Sequence, residues 1–89
     1  MIPKIKFYKP IDKYKLLVKF DDGYTVEYDL SSEISAIPEF RDLKDIVGLF
    51  ECIQLDSSRT ILFWNETIDI SSDTLYSYGK SINQQTIKK

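Results

Sequence analysis

The sequence predicts an α+β domain, a small and mainly antiparallel β-sheet of two or three hairpins packed with short helices. Three observations carry that expectation. Apolar and polar residues alternate with a period of two on both sides of Asp22-Gly23, as half-buried strands joined by a tight turn do. Residues 53–55, 61–64 and 68–70 are further short apolar runs with turn-forming residues between them. Phe40, Leu43, Ile46 and Val47 recur at spacings of three and four, which suits short helical turns laid on a sheet. A chain of 89 residues supports one modest core, so residues 1–80 are read as a single domain and 81–89 (SINQQTIKK) as a polar, flexible tail.

Taken in order, Ile5 and Phe7 alternate with Lys4, Lys6 and Tyr8, and Pro10 closes the run, giving a first strand at a sheet edge. The register of the next hairpin follows from its side chains. A two-residue turn at Asp22-Gly23 sets Phe20 opposite Thr25 and Val18 opposite Glu27, mixing apolar and polar on one face. A three-residue loop with Gly23 left-handed instead sets Phe20 opposite Tyr24, Val18 opposite Val26 and Leu16 opposite Tyr28. The second register buries one face and points Lys15, Lys19, Thr25 and Glu27 to solvent. Ser31 or Ser32 then caps a helical turn that Pro38 ends. Gly48 limits any helix beyond it.

A second hairpin is expected to set Ile53 and Leu55 against Phe63 and Ile61, leaving Leu62 and Trp64 on the other face. Across a three-residue turn at residues 65–67, those two meet Ile70 and Ile68. Residues 61–64 are then apolar on both faces, as a central strand covered on two sides is. A short helix over residues 73–78, with Gly79 as its C-cap, closes the fold.

Composition excludes several kinds of chemistry. There is no histidine and a single cysteine, so neither an internal disulfide nor a Cys/His nucleophile can form. Cys52, among apolar neighbours, is read as a core residue. The usual zinc ligands are missing. Glu66, Asp69 and Asp73 offer oxygen ligands for a hard cation, and an enzyme using Asp69 and Asp73 with a metal is the third and least favoured reading. They make no calcium loop, and Asp69 and Asp73 are read as a strand residue and a helix-start residue. The three glycines, Gly23, Gly48 and Gly79, lie too far apart for a phosphate loop. No metal, cofactor or catalytic residue is therefore assigned. A net charge of −2 gives no overall attraction to nucleic acid or an anionic membrane. No apolar run approaches the roughly 20 residues that span a bilayer, and the N-terminus has no signal-peptide core. A cytoplasmic protein is the expectation.

Two features remain for function. Lys4, Lys6, Lys9, Lys13, Lys15 and Lys19 interleave with Phe7, Tyr8 and Tyr14. That arrangement suits either nucleic-acid contact or the solvated face of an edge strand kept from aggregating by lysine. Tyr8, Tyr14, Tyr76 and Tyr78 are more tyrosine than a small core holds. With Trp64, if exposed, they are the candidate partner-binding residues.

The order of these pieces resembles a bacterial family named domain of unknown function 2442. The likeness runs over residues 4–80. It rests on Leu17-Val18-Lys19-Phe20 with Asp22-Gly23, Tyr28-Asp29-Leu30-Ser31, Phe40 with Leu43-Lys44-Asp45, and Leu49-Phe50. Arg59-Thr60-Ile61 with Trp64, Ile68-Asp69-Ile70 and Asp73-Thr74-Leu75-Tyr76 complete it. Thr67 stands where the family usually has Gly, and Ser72 where it has Pro. The resemblance implies a small α+β fold with no established enzymatic activity. Some relatives are encoded beside a presumed toxin and look like antitoxins. The expected function is thus a non-catalytic protein-binding module, an antitoxin-like inhibitor or adaptor of a bacterial or phage system, with another protein as partner. The alternative is a nucleic-acid-binding regulator using the Lys4 to Lys19 face.

Overall fold

A computed structural model describes residues 2–11 and 13–82; residues 83–89 of the expected tail lie outside them. The hairpin around Asp22-Gly23 sets the first sheet. Strands β2 (Lys15–Phe20) and β3 (Thr25–Asp29) pair antiparallel with Leu16 opposite Tyr28 and Val18 opposite Val26. The Gly23 N–H donates to the Phe20 carbonyl, and the Phe20 N–H donates to the Tyr24 carbonyl, each at 2.9 Å. Gly23 has φ of +90°, the left-handed value a bulged type I loop requires. This is the register that burying one clean face demands. Leu16, Val18, Phe20, Val26 and Tyr28 point inward.

Strand β1 (Ile5–Ile11) lies at the sheet edge beside β2 and runs through Pro10 rather than stopping there. A bulge advances β1 by two residues, Ile5 to Phe7, while β2 advances by one. Ile5 therefore stays inside against Phe20, whereas Phe7 stands outside opposite Lys19 and is 48% exposed. The expected inward alternation of Ile5 and Phe7 is broken at that point. On the other side of the sheet β3 pairs with β7 (Lys80–Ser81), giving the order β1-β2-β3-β7. The last strand thus reaches into the segment read from the sequence as tail.

Two short helices follow, α1 (Ser31–Ala36) and α2 (Asp42–Asp45), with a 3-10 turn at Pro38–Arg41 between them. Neither serine caps α1. The Asp29 carboxylate accepts the Ser31 N–H at 2.8 Å instead. Ile34, Phe40 and Leu43 enter the core, while Ile46, where α2 ends in extended backbone, and Val47 are exposed just ahead of the turn at Gly48, φ +86°. Cys52 is exposed, against expectation. The inward positions here belong to Phe50, at the start of the 3-10 turn Phe50–Cys52, and to Ile53 just after it.

The second sheet, β4 (Gln54–Leu55), β5 (Ile61–Phe63) and β6 (Asp69–Ser71), is antiparallel in that order. Its first hairpin differs by one residue from the expected register: Gln54 faces Phe63 and Leu55 faces Leu62. The cause is Asp56. Its N–H donates to the Ile61 carbonyl at 3.0 Å, and its carboxylate collects the N–H groups of Thr60 and Ile61 and the Ser58 hydroxyl. Asp56 and Ile61 thereby close a four-residue loop. Strand β5 is central in its sheet but covered on one face only, with Leu62 inside and Ile61 36% exposed. The following turn is as expected. Leu62 faces Ile70, the Trp64 N–H donates to the Ile68 carbonyl, and the Asn65 side chain accepts the N–H groups of Thr67 and Ile68.

Helix α3 (Ser72–Tyr78) begins where the Ser71 hydroxyl accepts the Thr74 N–H at 3.2 Å. It packs on β3 and β6 and so bridges the two sheets, with Leu75 fully buried between them. Gly79 caps α3 with φ of −69°, so its lack of a side chain is not a matter of backbone freedom. A Cβ there would lie 2.5 Å from the Leu75 carbonyl oxygen and 2.7 Å from the Val26 side chain.

Candidate functional site

The five aromatic candidates do not form one patch. Tyr14, with φ of +57°, sets its ring edge-on to Phe50 at 5.6 Å, and Phe50 stacks on Trp64 at 6.2 Å. Trp64 is only 4% exposed and its Nε1–H donates to the Phe50 carbonyl at 2.9 Å. It leaves the candidate surface, because its apolar ring is inside and its one polar atom is satisfied there. Tyr8 is half-buried opposite Val18, on the core side of β1. Tyr76 belongs to a second cluster, edge-on to Phe20 at 4.9 Å and tilted against Tyr24 at 4.7 Å. Tyr78 alone is widely exposed, at the end of α3.

Around Tyr76 and the neighbouring Arg59 lie two sets of polar contacts that tie the sheets and α3 together. The Tyr76 hydroxyl donates to Asp22 Oδ2 at 2.6 Å. Next to it, Arg59 grips Asp21 with two 2.8 Å bonds and donates to the Ile5 carbonyl at 3.1 Å. Arg59 comes from the loop of the second sheet and Asp21 from the hairpin tip of the first, so the pair joins the sheets. The Arg59 hydrogen bond holds the Asp21 carboxyl below its ordinary value, with the charges of Arg59, Lys6 and Lys4 adding to it. The Tyr76 hydroxyl, with the Tyr24 N–H behind it, does the same for Asp22, and the Tyr76 phenol is raised in turn. A shallow cleft of about 370 Å³ opens beside them, lined by Pro3, Asp22, Asp73, Tyr76 and Ser77. Every acidic group in this cluster except Asp73 already has a partner within the chain, which marks the cluster as architecture. At the other end of the sheet the Tyr28 hydroxyl donates to Glu33, and burial followed by the Glu33 carboxylate pushes the phenol pKa far up. Among the described residues, no three acidic or cysteine side chains converge as metal ligands would.

What the sequence reading missed is a face. On the outside of the first sheet, Phe7, Lys9 and Ile11 of β1 stand opposite Lys19, Leu17 and Lys15 of β2. Thr25, Glu27 and Asp29 of β3 continue the same face, followed by Lys80 of β7. Lys9 and Lys19 are exposed, and Leu17, Ile11 and Lys15 half-buried. The hairpin register alone placed Lys15 and Lys19 there. Phe7 could not be placed, because the bulge that turns it outward leaves no pattern in the sequence. The basic run from Lys4 to Lys19 is thus divided: Lys9, Lys15 and Lys19 share the outer face with Phe7, while Tyr8 lies on the opposite side and Tyr14 in the loop before β2.

Comparison with family models gives a match over residues 9–81 to a protein family of unknown function, DUF2442. The chain belongs to the DUF2442 family. The α+β fold of two antiparallel sheets and short helices is what resemblance to that family implied. No curated protein and no solved structure matches the chain. No helix among the described residues of this DUF2442 protein is long and apolar enough to cross a membrane.

Proposed function

We propose that this DUF2442 protein is a non-catalytic protein-binding module, an inhibitor or adaptor of the antitoxin-like kind, and that it binds through the outer face of its four-stranded sheet. The observation that carries the reading is the mixture on that face: Phe7, Ile11 and Leu17 set among Lys9, Lys15 and Lys19. An exposed Phe7 with half-buried Ile11 and Leu17 beside it, rimmed by charge, makes a patch of the kind that marks an interaction surface. A cytoplasmic setting suits the exposed, unpaired Cys52. Affinity capture from cells that encode the chain tests the reading, with Phe7→Ser/Leu17→Ser as the paired bait. One protein retained in stoichiometric amount by the parent and lost by the variant, at unchanged circular dichroism, supports it. Absence of any stoichiometric partner refutes it.

The lysines of the same face support a second reading, a nucleic-acid-binding regulator. Filter binding at two salt concentrations separates the two, because phosphate-driven binding weakens steeply with salt. An oligonucleotide that is not retained even at low salt removes the second.

A further inference from the structure

The chemistry of this face narrows the partner, an inference that rests on the protein-binding reading. Each of the three outward pairs between β1 and β2 joins one lysine to one apolar residue: Phe7 with Lys19, Lys9 with Leu17, Ile11 with Lys15. Along each strand the two types alternate as well. The result is a two-by-three checkerboard with neighbours roughly 5 Å apart across the strands and about 7 Å apart along them. Lysine on an edge strand is commonly a guard against aggregation. That accounts for Lys9 on β1 but not for Lys15 and Lys19, whose strand has a neighbour on both sides. Among the described residues none of the three is held in an ion pair within 4 Å, although the Lys15 charge acts on the Asp29 carboxylate across the strands.

We propose that the checkerboard binds an acidic segment of a partner protein, one in which carboxylates are interspersed with apolar side chains. The carboxylates meet the lysine ammonium groups while the apolar side chains cover Phe7, Ile11 and Leu17. A second copy of this face is disfavoured, because checkerboard laid on checkerboard sets three lysines against three, of which only Lys15 stands opposite a carboxylate, that of Asp29. Residues 83–89 are a poor occupant for the same reason, since they end in Lys88 and Lys89. Nucleic acid fits less well than an acidic peptide. Glu27 and Asp29 lie on the same face of the adjacent strand, opposite Leu17 and Lys15, about 10 Å from β1. A polyphosphate backbone crossing the lysines would run onto those carboxylates. They confine the positive patch to the length of a short peptide. The partner must also lie on the face rather than extend the sheet. Alternation of the antiparallel ladder, fixed by the Phe20 and Tyr24 bond, turns the backbone of Tyr8 and Pro10 toward the open edge of β1. Pro10 has no N–H to give there.

The test uses the full chain and a fluorescein-labelled peptide of about 12 residues, Glu with Leu at every third position, followed by fluorescence anisotropy. An all-Glu peptide, its Lys-for-Glu counterpart, single-stranded and duplex oligonucleotides and anionic lipid vesicles are the competitors. The Glu/Leu peptide should bind at low salt, bind more tightly than all-Glu, and lose about tenfold in affinity in Lys9→Glu/Lys15→Glu/Lys19→Glu. The neutral Lys9→Gln/Lys15→Gln/Lys19→Gln chain should show a smaller loss in the same direction, which guards against misfolding of the triple-Glu chain. Amide shifts in residues 7–19 locate the contact. No binding at low salt, no effect of either triple variant, or stronger competition by an oligonucleotide or vesicle overturns the proposal. A native protein captured equally by the parent and the triple-Glu chain overturns the acidic-segment assignment while leaving the module reading intact. A failure to capture any protein with the parent chain overturns the module reading itself.

Discussion

Gly79→Ala is a substitution whose sign the structure decides. On backbone grounds alone it should help. Gly79 has φ of −69° and sits in extended conformation, where replacing glycine by alanine restricts the unfolded chain and stabilises by about 0.4–1 kcal/mol. The geometry opposes this. The added Cβ would lie 2.5 Å from the Leu75 carbonyl oxygen and 2.7 Å from two Val26 side-chain carbons. Neither neighbour can yield cheaply, because Leu75 and Val26 are fully buried, one on α3 and the other on β3, the strand that α3 packs against. Overpacking of this kind costs about 1–3 kcal/mol, occasionally more. With no loose neighbour to absorb it, we expect a net loss near the upper end, about 2–3 kcal/mol. For a domain of this size each kcal/mol moves Tm by roughly 4–8 °C, so a drop of about 10–20 °C is expected in a melt followed by circular dichroism. Urea unfolding should show a lower midpoint at an unchanged slope. Gly23→Ala is the contrast. Nothing lies within 4 Å of its Cβ, but φ is +90°, so only the left-handed penalty of about 1–2 kcal/mol applies. An unchanged or raised Tm for Gly79→Ala would refute the account of α3 as wedged onto β3 without room for a methyl group.

Three further outcomes follow from the same geometry. Trp64→Phe leaves the buried Phe50 carbonyl without its donor and a smaller ring in place of the indole, so a loss of about 2–3 kcal/mol is expected in urea unfolding; an unchanged midpoint would contradict the buried bond. Asp21 has a folded-state pKa lowered from 3.8, chiefly by the Arg59 hydrogen bond. Its contribution to stability is therefore present above about pH 4 and lost as the pH falls through the lowered value. Asp21→Asn should flatten the acid limb of a Tm-against-pH curve, and a curve parallel to that of the parent would count against the pair. Cys52, being exposed, should be titrated by Ellman's reagent in the native protein at about one thiol per chain, a result that a core cysteine would not give until denaturant is added.

How far each part of the fold can be read from sequence depends on what fixes it. The register of β2 against β3 was legible because one register buries Leu16, Val18, Phe20, Val26 and Tyr28 together and the alternative does not. The Trp64 turn was legible for the same reason. The hairpin of β4 and β5 was not, since Leu55 can be set against either Ile61 or Leu62 with an apolar pair either way. Hydrogen bonds to the Asp56 carboxylate decide between them, and they leave no periodic trace. Cys52, Ile46 and Val47 show the limit of composition: apolar neighbours in sequence are not neighbours in space where the chain turns every few residues. Gly79 is legible as a cap, but the reason it must be glycine lies with Val26, more than fifty residues earlier. The outer face was half-legible. Its β2 lysines follow from the register, whereas Phe7 joins them only through the bulge at the start of β1.

The burial of Trp64 has a practical side. It is the chain's only indole, packed against Phe50 in the core, on the far side of the first sheet from Lys9, Leu17 and Lys19. Its intrinsic emission will therefore report loss of the core with little background from other sites. It will be nearly silent when anything settles on the outer face. Titrations monitored by tryptophan would record no change there even at full occupancy, so a flat trace from this protein is no evidence of an unoccupied surface.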